Sequence, residues 1–396
     1  MTMDDQGRIL FGGRLGLNTT MPAYNGQYHP NLVRLTSEGE IDGTFPFPYG
    51  FEGTIHRVRS IGNGRHVLIG SLDFSCTNTA VVSDWLTTTM VIYDENDQSL
   101  IPLHVPGCAP AASGPEIVDV LPLASGKLLY IAQDLCSGSQ HDIGRFNEDG
   151  SWDDTYSTTD LGWTNDLPTR ALEAPDGKVY VVGHFVLANG IARNRIVRLL
   201  PNGGVDPTFD PLGGFNNLVE DIIVNPDGTV VCIGAFTTYR GAPAPRIAKL
   251  LPNGSMDPSF DPGSGFITSP SRLLRYPDGR ILVGGVIPIY DGQVVNGIVC
   301  IRADGSIDET FEQGAGFRIN NAAANGGMFG GGAVFDMELQ QNGQVVCKGE
   351  FHMYDGNGRN RVARIGSGTS VLVSARVLLE GAYDPDAYDG EGGMLP

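Results

Sequence analysis

Short apolar runs that follow glycine turns recur along the whole chain. The turn and the run appear together seven times, as QGRILFGG at Gln6, NGRHVLIG at Asn63, SGKLLYIA at Ser125, DGKVYVVG at Asp176, DGTVVCIG at Asp227, DGRILVGG at Asp278 and NGQVVCKG at Asn342. Asp-Gly and Asn-Gly supply the positive φ that tight hairpin turns need, and Val, Ile and Leu favour strands. The pattern therefore predicts seven units, each built around a β-hairpin.

Each turn is flanked by further apolar segments that predict four short strands per unit. One segment precedes the turn, as at residues 221–224, and another follows the second strand, as at residues 246–251. A second turn then leads into an Asp-x-Thr/Ser-Phe/Tyr motif, which begins at Asp42, Asp153, Asp206, Asp257 and Asp308. No segment keeps apolar residues at helical spacing beyond two turns, so strands are favoured over helices.

The repeat is most regular in the middle of the chain, where residues 198–215 and 249–266 match at an offset of 51 residues. Units of this length with four strands fit propeller blades and are too long for one turn of a β-helix. We predict an all-β fold, a seven-bladed β-propeller of four-stranded antiparallel blades, over residues 1–368. Residues 369–396 are predicted to form a C-terminal strand and tail that closes the ring or begins a following module.

The turn-and-strand motif with its following Asp-x-Thr/Ser-Phe resembles the bacterial delta-60 repeat. The resemblance is strong over residues 172–317, visible at residues 6–45 and 334–365, and weak over residues 55–156. It implies a β-propeller of the kind found in large secreted or surface-attached bacterial proteins. The motif carries no known catalytic residues, so the resemblance implies a scaffold or binding role and an extracellular or cell-surface location.

Composition and charge remove several classes of partner. The chain carries 55 Gly and 25 Pro, which suit many turns, and a formal charge of −19, which repels nucleic acid. No apolar run approaches the roughly 18 residues of a membrane span, so no membrane insertion is predicted. The acidic start, residues 1–5, lacks the basic and apolar regions of a signal peptide, and the chain begins partway through a repeat unit.

The recurring charged residues are interpreted as structural. The motif aspartates occur at one position in five units, and a site made once per molecule does not need five copies. An Asp that caps a turn through backbone hydrogen bonds explains them better than a metal ligand or an acid catalyst. The cations that share one strand position are interpreted as their partners or as snorkelling side chains, namely Arg34, Arg145, Arg198, Lys249 and Arg364.

A binding surface is predicted on the face that carries the longest insertions, at residues 71–89 and 106–116, and the glycine-rich loop at residues 320–332. Shorter loops on that face present the candidate binding residues Tyr239, Arg240, Tyr290, Asp291, His352 and Tyr354. The alternative is equally open, because several of these tyrosines belong to the repeat and would then only pack their loop.

Metal and cysteine chemistry are weakly encoded. The histidines have no zinc-like spacing, and no cofactor is predicted. Calcium stays open at Asp384, Asp386 and Asp389, although their spacing differs from an EF-hand and favours a solvated tail. Three cysteines are predicted to be buried small hydrophobic residues, Cys232, Cys300 and Cys347. Three others fall in loops on one face, where a disulfide would join Cys108 to Cys136 or to Cys76.

The sequence thus favours a non-catalytic propeller module of a larger exported or surface protein, serving adhesion, spacing or docking with a protein or glycan partner. One alternative is a carbohydrate-active propeller enzyme with its site at the channel mouth. Another is a structural component of a virion or an injection machine. Convergent carboxyl groups with raised pKa in one pocket would favour the enzyme, and a loop-rich face without such a pocket would favour binding.

Overall fold

The computed structural model describes residues 1–12, 23–24, 27–28, 32–46, 51–74, 86–106, 116–133, 142–162, 168–311, 314–319, 332–358 and 361–366. Every regular element in these ranges is a β-strand. The prediction of an all-β, antiparallel chain is therefore confirmed for the described residues. The predicted closing segment at residues 369–396 lies outside them, and the proposed domain boundary at residue 368 stays a prediction.

The strands of the first half follow in chain order. They are β1 (Thr2–Met3), β2 (Ile9–Gly12), β3 (Ala23–Tyr24), β4 (Gln27–Tyr28), β5 (Leu32–Leu35), β6 (Phe51–Gly62), β7 (Arg65–Phe74), β8 (Leu86–Asp94), β9 (Ser99–Pro102), β10 (Glu116–Pro122), β11 (Leu128–Gln133), β12 (Ile143–Phe146), β13 (Pro168–Glu173), β14 (Val179–Gly183), β15 (Leu187–Ala188), β16 (Ile191–Ala192) and β17 (Ile196–Leu199).

The strands of the second half also follow in chain order. Its strands are β18 (Val219–Val224), β19 (Val230–Gly234), β20 (Thr238–Tyr239), β21 (Ala242–Pro243), β22 (Ile247–Leu250), β23 (Pro270–Arg275), β24 (Ile281–Gly285), β25 (Ile289–Tyr290), β26 (Gln293–Val294), β27 (Ile298–Ile301), β28 (Phe317–Arg318), β29 (Ala333–Leu339), β30 (Val345–Glu350), β31 (Met353–Tyr354), β32 (Asn357–Gly358) and β33 (Val362–Ile365).

The main sheets share one topology. Their strand orders are β1-β2-β5, β6-β7-β8-β9, β10-β11-β12, β13-β14-β17, β18-β19-β22, β23-β24-β27 and β29-β30-β33. We number them units one to seven. In each unit the run after the turn glycine forms the second strand, as in unit five, where Cys232 of β19 pairs with Ile222 of β18 and Ala248 of β22.

The predicted fourth strand is present only in unit two among the described residues. In units such as the fifth it shrinks to a single bridge between Leu250 and Met256. The next residue explains why, because the carboxylate of Asp257 accepts hydrogen bonds from the Ser259 N–H and hydroxyl and turns the chain away. The four-stranded form of the blades is thus not confirmed, and most sheets have three strands.

The hydrophobic core lies between the sheets. One cluster of buried side chains joins each pair of consecutive units, as where Val182 and Phe209 of unit four pack with Cys232 and Ala248 of unit five. A seventh cluster joins the last unit to the first, with Val346 and Val362 packed against residues of unit one that include Ile9. The units therefore follow one another around a closed circuit.

The motif aspartates pair with their cations just after the third strand of a unit, at a place that we name the corner. Arg198 Nε donates to Asp206 Oδ2 over 2.8 Å, and Arg198 Nη1 donates to the carbonyl of Pro252 in unit five over 2.7 Å. Arg145 reaches the Pro201 carbonyl of unit four in the same way. The last unit repeats the contact with the first, because Arg364 donates to the Ser37 carbonyl. These contacts confirm the structural interpretation, since each cation ties its own corner to the next unit.

Unit six departs from this pattern in sequence but keeps the ion pair. Cys300 occupies the cation position and is buried. Arg280, from the second strand's turn, instead places Nη1 3.0 Å from Asp308 Oδ2. The aspartate is thus paired even where the repeat lacks its cation.

Candidate functional site

Charged side chains of alternating sign line the first strands of successive units. In six units the residue seven positions before the turn glycine is Arg57, Asp119, Arg170, Asp221, Arg272 or Asp336. Each follows a β-bulge in its strand, a feature that can re-aim a side chain. The first strands of neighbouring units contact one another. These six residues therefore form what we name the charge ring.

Asp119 is the most fully bonded carboxylate of the charge ring. It accepts hydrogen bonds from Arg57 Nη1 over 2.5 Å, from Arg59 Nε over 2.9 Å, from Arg59 Nη2 over 2.5 Å and from the Val120 N–H over 2.9 Å. Burial alone would raise its pKa, but the charges of Arg59 and Arg57 outweigh burial and hold the pKa well below the usual range. Asp119 is thus a stable anion.

Asp221 is satisfied mainly by the backbone. It is 1% exposed and accepts hydrogen bonds from the Ile222 N–H and the Leu273 N–H, both over 2.9 Å. Two arginines flank it at longer range, with Arg170 Nε 3.4 Å from Oδ1 and Arg272 Nη1 3.7 Å from Oδ2. The carboxylate therefore joins units four, five and six.

Two glutamates near the charge ring have raised pKa values. Burial raises the pKa of Glu220, assisted by Asp221 and opposed by Arg272. Burial likewise raises the pKa of Glu338, assisted by Asp336. For Asp336 burial is outweighed by neighbouring positive charges, including Arg272, so its pKa is lowered. Carboxyl groups with opposite pKa shifts thus lie close together, which is one condition for acid–base chemistry.

The predicted binding residues lie elsewhere, on the hairpins between second and third strands. Tyr239 and Tyr290 are fully buried, and their hydroxyls donate to the carbonyls of Gly254 over 2.5 Å and Gly305 over 2.6 Å. The Tyr239 ring also packs on Phe215, with the ring centres 4.6 Å apart. For these two tyrosines the contacts match the packing alternative.

The other four candidates also contact their own surroundings. Arg240 Nε donates to the Pro211 carbonyl over 3.1 Å, and Asp291 accepts from the Ser264 N–H over 2.9 Å. The His352 N–H donates to the Arg318 carbonyl over 2.8 Å. Tyr354 packs on Phe317 with the ring centres 4.7 Å apart. The six candidates are spread over three hairpins, and a binding role for them stays a prediction.

The packing role of Tyr239 can be measured. We expect Tyr239→Phe to lower the free energy of unfolding by about 1 kcal/mol, because the buried Gly254 carbonyl loses its donor. The control is Tyr354→Phe, at a half-buried ring with no hydroxyl hydrogen bond within the described ranges, which should change stability less. Urea denaturation of both variants makes the comparison. Equal losses would contradict the packing role of the Tyr239 hydroxyl.

The charge ring was missed by sequence reasoning, although a signal exists. Counting back seven residues from each turn glycine finds the alternating charges. The units of a repeat are recognised by the residues that they share, whereas at this position the units carry charges of opposite sign. A position that is always charged but never uniform therefore escapes a search for similarity.

The metal and disulfide predictions fall largely outside the described ranges. Asp384, Asp386 and Asp389 lie there, as do Cys76, Cys108 and Cys136. Cys232, Cys300 and Cys347 are free, buried thiols, which confirms their predicted burial. Within the described ranges no group of His, Cys, Asp and Glu could hold a metal ion. The same residues include no helix long and apolar enough to cross a membrane.

Comparison with known proteins relates the closed circuit of sheets to a known fold. Five segments match the family model described as "Domain of unknown function (DUF5122) beta-propeller", at residues 7–45, 174–209, 225–260, 277–311 and 340–368. The chain contains a β-propeller domain. This confirms the predicted propeller, while the finer assignment to the delta-60 repeat goes beyond the match. No curated protein sequence is significantly similar to the chain.

Solved structures share the fold of this β-propeller domain at low sequence identity. A puromycin hydrolase S511A mutant aligns with 97% of this chain and 53% of its own, at 13% identity and a TM-score of 0.53. YCF48 bound to D1 peptide aligns over 92% and 90%, at 12% identity and a TM-score of 0.50. The extracellular domain of a putative one component system from B. thetaiotaomicron aligns over 88% of this chain at 12% identity and a TM-score of 0.49. This chain spans 36% of that last protein.

Proposed function

We propose that the chain is a seven-bladed, delta-60-like β-propeller that acts as a non-catalytic docking module for a protein partner. It belongs, in this proposal, to a larger bacterial protein at the cell surface or outside the cell. The partner binds the side of the sheets that carries the hairpins β15–β16, β20–β21, β25–β26 and β31–β32, which we name the hairpin side. The opposite side, which carries the turn glycines, is the turn side.

The distribution of exposed apolar side chains is the observation that carries this proposal. Among the described residues, the large apolar side chains that are more than a third exposed lie on the hairpins, on the loops beside them or at the bulge of β29. They are Val186, Leu187, Ile191, Leu212, Ile267, Val286, Val294 and Phe335. Apolar side chains on rigid loops are typical of surfaces that bury area against another protein. The turn side presents aspartates, asparagines and glycines instead.

The use of the repeated polar residues supports a scaffold role. The motif aspartates are paired with cations of their own corner, and Arg145, Arg198 and Arg364 are bonded to carbonyls of the next unit. These repeated residues are occupied in holding the sheets together. Specific recognition is then left to residues that differ between units, such as those exposed on the hairpins.

Neighbours with the same fold show that the fold alone leaves the function open. YCF48 is bound to the D1 peptide in its solved structure, so a propeller of similar shape can hold a peptide. The puromycin hydrolase shows the fold within an enzyme. The choice of a protein partner therefore rests on the exposed apolar side chains. The location outside the cell rests on the resemblance to delta-60 repeats.

The docking surface can be tested with the double variant Leu187→Ser/Val294→Ser. Both side chains are exposed, at 38% and 62%, so folding should be unaffected. Immobilised wild-type chain would be exposed to an envelope and secreted fraction of the source bacterium. A captured protein would then be purified and titrated against each variant. We expect the double variant to weaken binding of that purified protein at least tenfold, because apolar contacts at the interface centre are lost.

The control is Glu40→Ser, an exposed residue on the turn side. It should bind the purified partner as the wild type does. If Glu40→Ser weakens binding while Leu187→Ser/Val294→Ser leaves it intact, the hairpin side is not the docking surface.

The raised pKa values of Glu220 and Glu338 keep a carbohydrate-active enzyme as a second candidate. A carboxyl group with a raised pKa is the kind of group that serves as a general acid in glycoside hydrolysis. Hydrolysis of aryl glycosides by the wild type, lost in Glu220→Gln and in Glu338→Gln, would favour the enzyme over the docking module.

A further inference from the structure

The arginines of the charge ring are unequally satisfied. Arg57 and Arg59 together donate three hydrogen bonds to Asp119. Arg170 lies 3.7 Å from Asp119 and 3.4 Å from Asp221, distances typical of ion pairs with poor hydrogen-bond geometry. Its buried Nε has no hydrogen-bond acceptor within the described residues. A buried guanidinium donor without an acceptor is costly, and such groups are usually bonded to a ligand or to water.

Arg272 is in a similar position on the other side of Asp221. Its Nε donates to the Phe335 carbonyl over 3.1 Å, and its nearest carboxylates are Asp336 at 3.4 Å and Asp221 at 3.7 Å. A guanidinium group has five N–H donors in a fixed fork, and the Phe335 carbonyl accepts from only the Nε of Arg272. The side chains of Arg170 and Arg272 are 20% and 16% exposed, so a solute can reach them.

Asp221 cannot satisfy both arginines. It already accepts two backbone hydrogen bonds, from Ile222 and Leu273. It holds the two guanidinium groups on either side of itself at 3.4 Å and 3.7 Å. Two arginine forks held beside one carboxylate are the planar donors that bind carboxylate or phosphate oxygens.

We propose that Arg170 and Arg272 form a binding site for an oxyanion, a carboxylate or a phosphate group. The site lies beside Asp221, where the first strands of units four, five and six contact one another. The oxyanion accepts hydrogen bonds from both guanidinium groups and so pairs N–H donors that Asp221 does not.

Asp119, Asp221 and Asp336 border the site within 3.7 Å of the two arginines, and Glu220 and Glu338 lie nearby. These acidic groups disfavour a second negative charge. The site therefore takes one oxyanion group. The site adjoins the docking surface at Phe335, whose carbonyl accepts a hydrogen bond from Arg272, but its test uses small anions and does not depend on the docking partner.

Two probes distinguish a free anion from a peptide carboxylate as the source of the oxyanion. The first is inorganic phosphate, titrated by calorimetry at constant ionic strength. The second is the tripeptide Gly-Gly-Gly with a free C-terminal carboxylate, compared with its C-terminal amide. Saturable phosphate binding that the tripeptide acid does not displace indicates a site for a free anion. Displacement by the acid and not by the amide indicates a site for a peptide carboxylate. Either result supports the site.

Variants tie the binding to the two arginines. We expect Arg170→Gln/Arg272→Gln to weaken binding at least tenfold, because charge-assisted hydrogen bonds are lost. The lysine pair Arg170→Lys/Arg272→Lys keeps the charge but loses the fork and should bind with intermediate affinity. The control Arg275→Gln, at a partly buried arginine on the same strand, should bind as the wild type does.

Circular dichroism of each variant establishes that it is folded, and if the double glutamine variant unfolds, Arg272→Gln alone replaces it. The site is overturned if neither probe binds the wild type. It is also overturned if the folded glutamine and lysine variants bind both probes with wild-type affinity.

Discussion

Asp153→Ala lowers the free energy of unfolding by about 3 kcal/mol, the expected cost of removing a buried carboxylate from its two part-buried cations. Asp153 is 3% exposed. Its Oδ2 accepts hydrogen bonds from Lys127 Nζ and Arg145 Nε, both over 2.7 Å, and its Oδ1 accepts from the Thr155 N–H and hydroxyl. Because Arg145 also reaches unit four, the loss should loosen the contact between two units.

The adjacent residue supplies a matched control. Asp154 is exposed, so Asp154→Ala should change stability by no more than about 0.5 kcal/mol. Urea denaturation of both variants at neutral pH makes the comparison. Equal effects at Asp153 and Asp154 would show that the corner ion pair contributes little.

The pH dependence of the same pair gives an independent check. Burial would raise the pKa of Asp153, but Lys127, Thr155 and Arg145 outweigh burial and lower it. A folded-state pKa below the unfolded value of about 3.9 gives stability that is complete at neutral pH and is lost as the pH falls through the folded-state pKa. The stability difference between wild type and Asp153→Ala should therefore shrink below about pH 4. A difference that grows on acidification would contradict the pairing.

The repeated residues made the fold predictable from sequence. The turn glycines placed the second strands, and the run at residues 230–234 after Gly228 is β19 in the structure. The shared Asp-x-Thr/Ser-Phe pointed to corners held by side chains, as at Asp206 and Arg198. The fourth strand was overpredicted. A motif that ends in an apolar residue resembles a strand in sequence, even where its Asp turns the chain after one bridge.

The charge ring could not be reached by the same reasoning, because it depends on a backbone irregularity. A β-bulge in the first strand shifts the register by one residue. The alternation of apolar and polar residues therefore no longer tells on which face of the sheet a side chain lies. The glycine that ends the second strand hints at this bulge. A Cβ on Gly234 would lie 2.3 Å from the Leu218 carbonyl oxygen, next to the bulge in β18. The sequence alone does not indicate the register shift beside this glycine.

The second large effect is expected at Gly203, in the second turn of unit four. Its φ is +90°, in the left-handed region that side chains rarely adopt, and a Cβ there would lie 2.0 Å from the Ser157 carbonyl oxygen of unit three. The Ser157 N–H donates to the neighbouring Asn202 carbonyl over 2.7 Å, so the two backbones cannot easily separate. Gly203→Ala should therefore combine a conformational cost with a clash and lower stability by about 3 to 4 kcal/mol.

Gly241→Ala separates the two costs. Gly241 has a similar φ of +77°, but nothing lies within 4 Å of the position its Cβ would take. We expect a loss of about 1 kcal/mol there, which is the conformational cost alone. Thermal and urea denaturation of both variants would give the difference, which measures how tightly the turn of one unit is pressed against the chain of the preceding one. If both variants lose the same stability, the contact between Gly203 and Ser157 is loose, and the corners bind the units together through their ion pairs rather than through backbone packing.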